Sequence, residues 1–113
     1  MAYDEDLADR IRELLASEKG VTEQKMFGGL GFMIGGNMAV AASGQGGIMV
    51  RVDPVESERL IASTNAEPME MRGQPMKGWL RVSSEHVRTK RQLSTWVKRG
   101  VDAAGKYPRK GDR

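Results

Sequence analysis

The stretch "KMFGGLGFMIGGNMAV", residues 25–40, constrains the fold more than any other part of the chain, with five glycines among bulky apolar residues. Leu30, Phe32 and Ile34 alternate with Gly31 and Met33, which is the period of a strand that buries one face. Met38, Val40 and Ala42 form the next alternating set, and Ile48, Val50 and Val52 alternate with Met49 and Arg51. Between the sets lie "GGN" at 35–37 and "GQGG" at 44–47, compositions suited to the positive φ angles of tight hairpins. With "VTEQKMF" at 21–27 as the preceding strand, residues 21–53 read as an antiparallel meander.

Two phosphate-binding spellings compete with this reading, and both fail. A dinucleotide fingerprint from Gly29 runs through Gly31 but meets Ile34 where its third glycine belongs, and a strand follows instead of a helix. "GVDAAGKY" at 100–107 imitates a P-loop, yet it ends a helix and carries Tyr107 where a magnesium-binding hydroxyl is needed. Glycine here serves backbone geometry. Gly35 and Gly36 allow the turn, while Gly28, Gly29 and Gly31 permit sharp bending or close approach of another backbone.

Around the meander the pattern turns helical. Residues 4–18 place Leu7, Ile11, Leu14 and Leu15 on one helical face, with Gly20 positioned to stop the helix. Asp4, Glu5 and Asp6 crowd its first turn, where the helix dipole favours anions; this is a solvated helix start rather than a metal site. "DPVE" at 53–56 opens a second helix, with Asp53 as cap, Pro54 in first position and Glu56 completing a capping box, and it runs to about residue 62 or 63. "EPMEMR" at 67–72 sets Met69 and Met71 on one side of a strand; "GWLRV" at 78–82 is the next strand, joined through "GQPMK" at 73–77. The last helix is expected to begin near Ser83 or Ser84 and to continue past Val101, with Leu93, Trp96, Val97 and Val101 facing inward. The order α-β-β-β-β-α-β-β-α predicts an α+β domain: a curved antiparallel sheet of about six strands with helices packed on one face. One domain is expected over 1–105, followed by a basic flexible tail at 106–113.

Composition narrows the chemistry. At 113 residues one core is feasible. Cysteine is absent and His86 is the only histidine, so disulfides, thiolate nucleophiles and two-histidine metal motifs cannot be built. His86 lacks both an orienting partner and a nucleophile in the sequence, and reads as a surface residue. No apolar run suffices to span a bilayer and the acidic N-terminus is unlike a secretory signal, so a cytoplasmic protein without membrane contact is expected. Charge is placed unevenly: residues 81–113 carry ten bases against three acids, while the rest of the chain is net acidic. Such an end can attract nucleic acid, an anionic surface or an acidic partner.

The combination of Met26-Phe27-Gly28-Gly29, Asn37-Met38 and Pro75-Met76-Lys77-Gly78-Trp79, with the opening "MAYDEDLADRIRELL", resembles the N-terminal domain of the TfoX/Sxy competence regulators, in particular its small stand-alone members. The resemblance covers about residues 3–105. It implies an α+β fold of the type also used by chaperones of secreted effectors, often dimeric, and it brings no catalytic residues. In full-length competence regulators a second, helical domain follows, and the protein acts with the cyclic-AMP receptor protein at promoters.

The candidate partner-binding residues are Met26, Phe27, Lys77 and Trp79, with Trp79 as anchor. The competing reading puts Trp79 and Met26 in the sheet–helix core and Lys77 in a loop. The candidate nucleic-acid-binding residues are Arg88, Lys90, Arg91, Lys98 and Arg99, against the alternative of a solvated helix face. Arg51, outward on its strand, would join a patch on the open side of the sheet. No catalytic, cofactor-binding or metal-binding residue is assigned, and no cofactor is expected. The expected function is a non-enzymatic regulatory or protein-interaction module linked to competence or transcription regulation, acting as a homodimer with a further protein partner that the sequence does not identify. Direct nucleic-acid binding through the last helix and tail is the alternative, and an enzyme acting on a small anionic substrate is the remote one.

Overall fold

The computed structural model describes residues 3–26, 28–71 and 73–106. Its first helix, α1 (Glu5–Leu14), is capped by Asp4, whose carboxylate accepts the Leu7 amide at 3.1 Å. Leu7, Ala8 and Ile11 face the core. The helix ends earlier than the apolar spacing suggests, because the amides of Ala16 and Glu18 bond three residues back, to Glu13 and Leu15. Leu15 is nonetheless buried beyond the helix end.

The meander follows as expected: β1 (Val21–Met26), β2 (Gly29–Ile34), β3 (Asn37–Ala42) and β4 (Ile48–Arg51). Gly35 and Gly36 turn β2 into β3 with φ angles of 61° and 85°, which a two-residue hairpin requires. A single 3-10 turn (Pro54–Glu56) leads into α2 (Ser57–Ser63), and then come β5 (Glu67–Met71), β6 (Gln74–Val82) and α3 (Lys90–Ala104). Every strand pair is antiparallel, in the spatial order β1-β2-β3-β4-β6-β5. This is an α+β fold with the predicted element order.

α1 and α3 cover one face of the sheet. Beneath them Phe32, Val40, Ile48, Val50, Leu80 and Val82 are at most 1% exposed, packed against Leu93, Trp96 and Val97 of α3. Gly100 lets α3 lie directly on β3: a Cβ there would overlap the Ala39 carbonyl oxygen.

Three local expectations need correction. Met38 does not share a face with Val40 and Ala42. The register passes from Phe32↔Val40 to Met33↔Met38, so Ala39 bulges out of the ladder and Met38 turns to the opposite side. The last helix starts at Lys90, not near Ser83. Thr89 accepts the Gln92 amide and Gln92 accepts the Thr89 amide, each at 3.0 Å, and this reciprocal cap sets the start. Residues Ser84–His86 form a separate 3-10 turn, which places His86 and Arg88 before the helix. Finally, Asp53 caps as predicted by accepting the Val55 amide at 3.0 Å, but the Glu56 carboxylate pairs with Arg59 at 2.6 Å instead of completing a capping box.

Of the expected tail, Lys106 is tied down by a 2.8 Å bond to Asp53, and residues 107–113 lie outside the described part of the chain. No helix among the described residues is long and apolar enough to cross a membrane.

Candidate functional site

The face of the sheet turned away from α1 and α3 is also apolar. Strand alternation sends Gly29, Gly31 and Met33 of β2, Ala41 of β3, and Met49 and Arg51 of β4 to this side, and the bulge at Ala39 adds Met38. A second irregularity adds two residues of β6. Between the pairs Pro68↔Leu80 and Glu70↔Pro75, one residue of β5 stands opposite four of β6. Gly78 makes that excursion with φ of 86°, a conformation other residues resist. It is held by its amide donating to the Ser57 hydroxyl at 3.0 Å and its carbonyl accepting the Val52 amide at 2.8 Å. Met76 before it and Trp79 after it therefore reach the same side, three positions apart in a strand.

Together these residues enclose a groove of about 280 Å³. Gly29 and Ala41 are small and form its floor; Met26, Met38, Met49, Met69, Met76 and Trp79 rise around them. Five of the eight methionines in the chain are gathered here. Two arginines stand on this face, Arg81 in the lining and Arg51 beside it. The Arg51 guanidinium lies over the Trp79 ring, 4.6 Å from its centroid, and the two residues are direct partners across β4 and β6. Arg81 stands next along β6, opposite Met49 on one side and Glu67 on the other.

The sequence decides the family: the TfoX N-terminal domain matches residues 13–104 of the chain. The chain belongs to the TfoX N-terminal domain family. No curated protein matches it at a significant level.

In this TfoX N-terminal domain two of the four candidate partner-binding residues meet in the groove. Met26 and Trp79 both line it, so neither fills the sheet–helix interface; the tryptophan buried there is Trp96. Lys77 is exposed on the β6 excursion beside Gly78 and does not line the groove. Phe27 lies outside the described residues. Arg51 joins the face as expected of an outward strand residue. Met38, Met49, Met69, Met76 and Arg81 were not among the candidates, although the outward positions of Met49 and Met69 follow from strand alternation alone.

The basic candidates of the last third are distributed differently. Lys90 and Arg91 are exposed in the first turn of α3, and Lys98 pairs with Asp102 at 3.6 Å. Arg99 stacks on Trp96, 4.5 Å from the ring centroid, in a recess it shares with Asp53, Glu56, Asp102 and Lys106. Arg88 is exposed, and its carbonyl accepts a 2.9 Å bond from Arg10. Acidic side chains thus interleave with the bases on the α3 side.

That side also carries perturbed ionisations. Arg12 grips both oxygens of Glu23, at 2.6 and 2.9 Å, and also bonds Asp9. The hydrogen bond from Arg12 holds the Glu23 carboxyl below its ordinary range. Asp53 is lowered likewise, first by Lys106 and then by the Val55 amide, and Lys106 is raised in return.

Proposed function

We propose that the protein is a non-enzymatic protein-interaction module that takes an apolar segment of a protein partner into the methionine-lined groove, with acidic residues of that segment facing Arg51 and Arg81. The observation that carries this reading is the groove itself: an apolar concavity on a sheet face that no helix among the described residues covers, ringed by five methionines and Trp79, with Arg81 in its lining and Arg51 stacked on Trp79. Methionine side chains are unbranched and polarizable, so they reshape around different apolar contours at little cost. An aromatic ring beside them supplies a rigid anchor of large contact area. The arginines add little net affinity but set orientation and attract acidic sequences, and Glu67 opposite Arg81 offsets only part of their charge.

The non-enzymatic part of the proposal is supported by the lining, in which the described residues include no carboxylate, histidine or lysine to move a proton. Membership of the TfoX N-terminal domain family supports a regulatory role related to competence. A link to transcription through the bound partner is part of the same proposal.

The test is direct, because the methionines are their own probes. The protein labelled at methionine methyls is titrated with peptides of one apolar core, flanked by acidic or by basic residues, and in a parallel arm with duplex and single-stranded DNA. Acid-flanked peptides are expected to shift the methyls of Met26, Met38, Met49, Met69 and Met76, and to bind more tightly than base-flanked ones. Trp79→Ala is expected to weaken binding at least tenfold. Peptides that bind without moving those methyls, an absence of binding across the panel, or groove shifts produced by DNA alone would each overturn the reading.

A further inference from the structure

We infer that β1 is a self-pairing edge: two copies of the chain join through antiparallel β1 strands about a two-fold axis at Gln24, which extends the sheet across both. β1 and β5 are the outer strands of the sheet among the described residues, and their edges differ. β5 contains Pro68, carries Glu67 and Glu70 with no base, and has its register broken between Pro68 and Glu70. Proline, irregularity and like charge are the usual guards of an edge. β1 has neither proline nor irregularity, and its two charges, Glu23 and Lys25, are of opposite sign. Its register with β2 is unbroken from Val21↔Ile34 to Met26↔Gly29, and Thr22, Glu23, Gln24 and Lys25 are all exposed.

The phase of the ladder says which groups are on offer. Gly35 donates its amide to the Gly20 carbonyl at 3.2 Å, so Gly20, Thr22, Gln24 and Met26 turn their backbone polar groups toward β2 and its turn. The N–H and C=O groups of Val21, Glu23 and Lys25 consequently point outward. In an antiparallel homodimer these outward residues must form the bonded pairs. An axis at Glu23 would set glutamate against glutamate, and an axis at Lys25 would set lysine against lysine. With the axis at Gln24, Glu23 of each copy stands opposite Lys25 of the other, twice by symmetry. Opposite charges directly across a ladder stabilise it and like charges destabilise it, so charge selects this register.

Two further features fit. Arg12 already fixes the Glu23 carboxylate at the edge through two bonds, which reduces the ordering left to the dimer. On the open face, Thr22 of one copy meets Met26 of the other, so the two methionine grooves lie on the same side of the joined sheet. Dimers with two-fold symmetry commonly form in this isologous way.

Sedimentation velocity over a concentration series, with amide exchange on the full chain, tests the inference. Expected are a reversible monomer–dimer equilibrium and protection of the Glu23 and Lys25 amides that grows with concentration, while β5 amides do not respond. Lys25→Glu places like charges opposite each other and is expected to shift the equilibrium toward monomer by at least tenfold. An equimolar mixture of Lys25→Glu and Glu23→Lys chains restores both opposite-charge pairs and is expected to dimerise again. Lys25→Pro removes an outward amide that β2 does not use, and is expected to give folded monomer, checked by circular dichroism. A protein monomeric at every concentration, or a dimer indifferent to both Lys25 variants, overturns the pairing. Groove binding is read separately, since peptide shifts at the methionine methyls can be measured in monomeric Lys25→Pro.

Discussion

Both faces of this sheet are apolar, and both are made by the same strands, yet their side chains are of different kinds. Toward α1 and α3 stand Phe32, Val40, Ile48, Val50, Leu80 and Val82, essentially without exposure. Several are β-branched and stiff at χ1, and they pack at the density of a molecular crystal. On the other side stand Met26, Met38, Met49, Met69 and Met76, all half-buried, above a floor of glycine and alanine. One face has a fixed shape because its partners never change. The other is soft, as suits a surface that must fit something outside the chain. The contrast lies in residue type rather than topology, which makes it testable by matched substitutions on the two faces.

The largest expected effect is on the covered face. Phe32→Ala should destabilise the fold by about 3–5 kcal/mol, because a fully buried ring leaves a cavity that the stiff neighbours cannot close. Met49→Ala, half-exposed on the open face, should cost only about 1 kcal/mol. Its effect is expected on peptide binding instead. Urea unfolding of the two variants measures the difference. Equal losses would mean that the open face is packed as a second core, and the contrast would fail.

A subtler version uses one chemical change on each side. Gly100→Ala drives a methyl into the Ala39 carbonyl at the bulge, where the strand on either side is fixed by its pairing with β2. The helix gains propensity, about 0.5–1 kcal/mol, but overpacking costs about 1–3 kcal/mol, so net destabilisation is expected. At Gly31 the new methyl would meet the Cε atoms of Met38 at 3.0 Å and Met26 at 3.4 Å. Those are free ends of flexible chains. Gly31→Ala should therefore change stability by less than about 0.5 kcal/mol, while the displaced methionines narrow the groove and weaken peptide binding. If Gly31→Ala were the more damaging of the two, the softness of the methionine face would be disproved.

These residues also show what a reader of the sequence could and could not see. The meander was legible because period-two alternation broken by paired glycines has few other meanings, and the helix of residues 5–14 was legible from its apolar spacing. The bulge at Ala39 was not: it lies against Gly100, sixty-one positions away, a contact that strand alternation does not record. The start of α3 was expected near Ser83 or Ser84, while the cap in the structure is a later hydroxyl, Thr89. Tertiary structure selects it: Val87 is buried, and Arg10 of α1 bonds the carbonyls of Val87 and Arg88 at 3.0 and 2.9 Å. Of the groove, Met26 and Trp79 were legible as a pair. That Met76 joins them depends on the excursion at Gly78, because simple alternation places residues 76 and 79 on opposite faces. Lys77, which alternation would set on the side of Trp79, stands outside the groove lining for the same reason.

The smallest effect concerns pH, and it too separates the two sides. The Arg12–Glu23 and Asp53–Lys106 pairs both belong to the helix side of the sheet. Glu23 and Asp53 are held below their ordinary values in the folded chain, so they release protons more readily folded than unfolded. Their contribution is therefore present above the ordinary carboxylate range and is lost as pH falls through the depressed folded values. Lys106 is raised, so its share is complete below the ordinary lysine range and disappears as pH climbs through the folded value. Both pairs are solvent-exposed, and the change in melting temperature should be small beside that of Phe32→Ala. Asp53→Asn should flatten the acid limb of the stability profile, and Lys106→Ala should flatten both the acid and the alkaline limb. Arg81→Ala, which removes a charge from the open face, should leave the profile parallel to that of the parent. A steeper acid limb in Asp53→Asn would reverse the sign assigned to this pair. A change of slope in Arg81→Ala would show that titrating contacts also hold the methionine face.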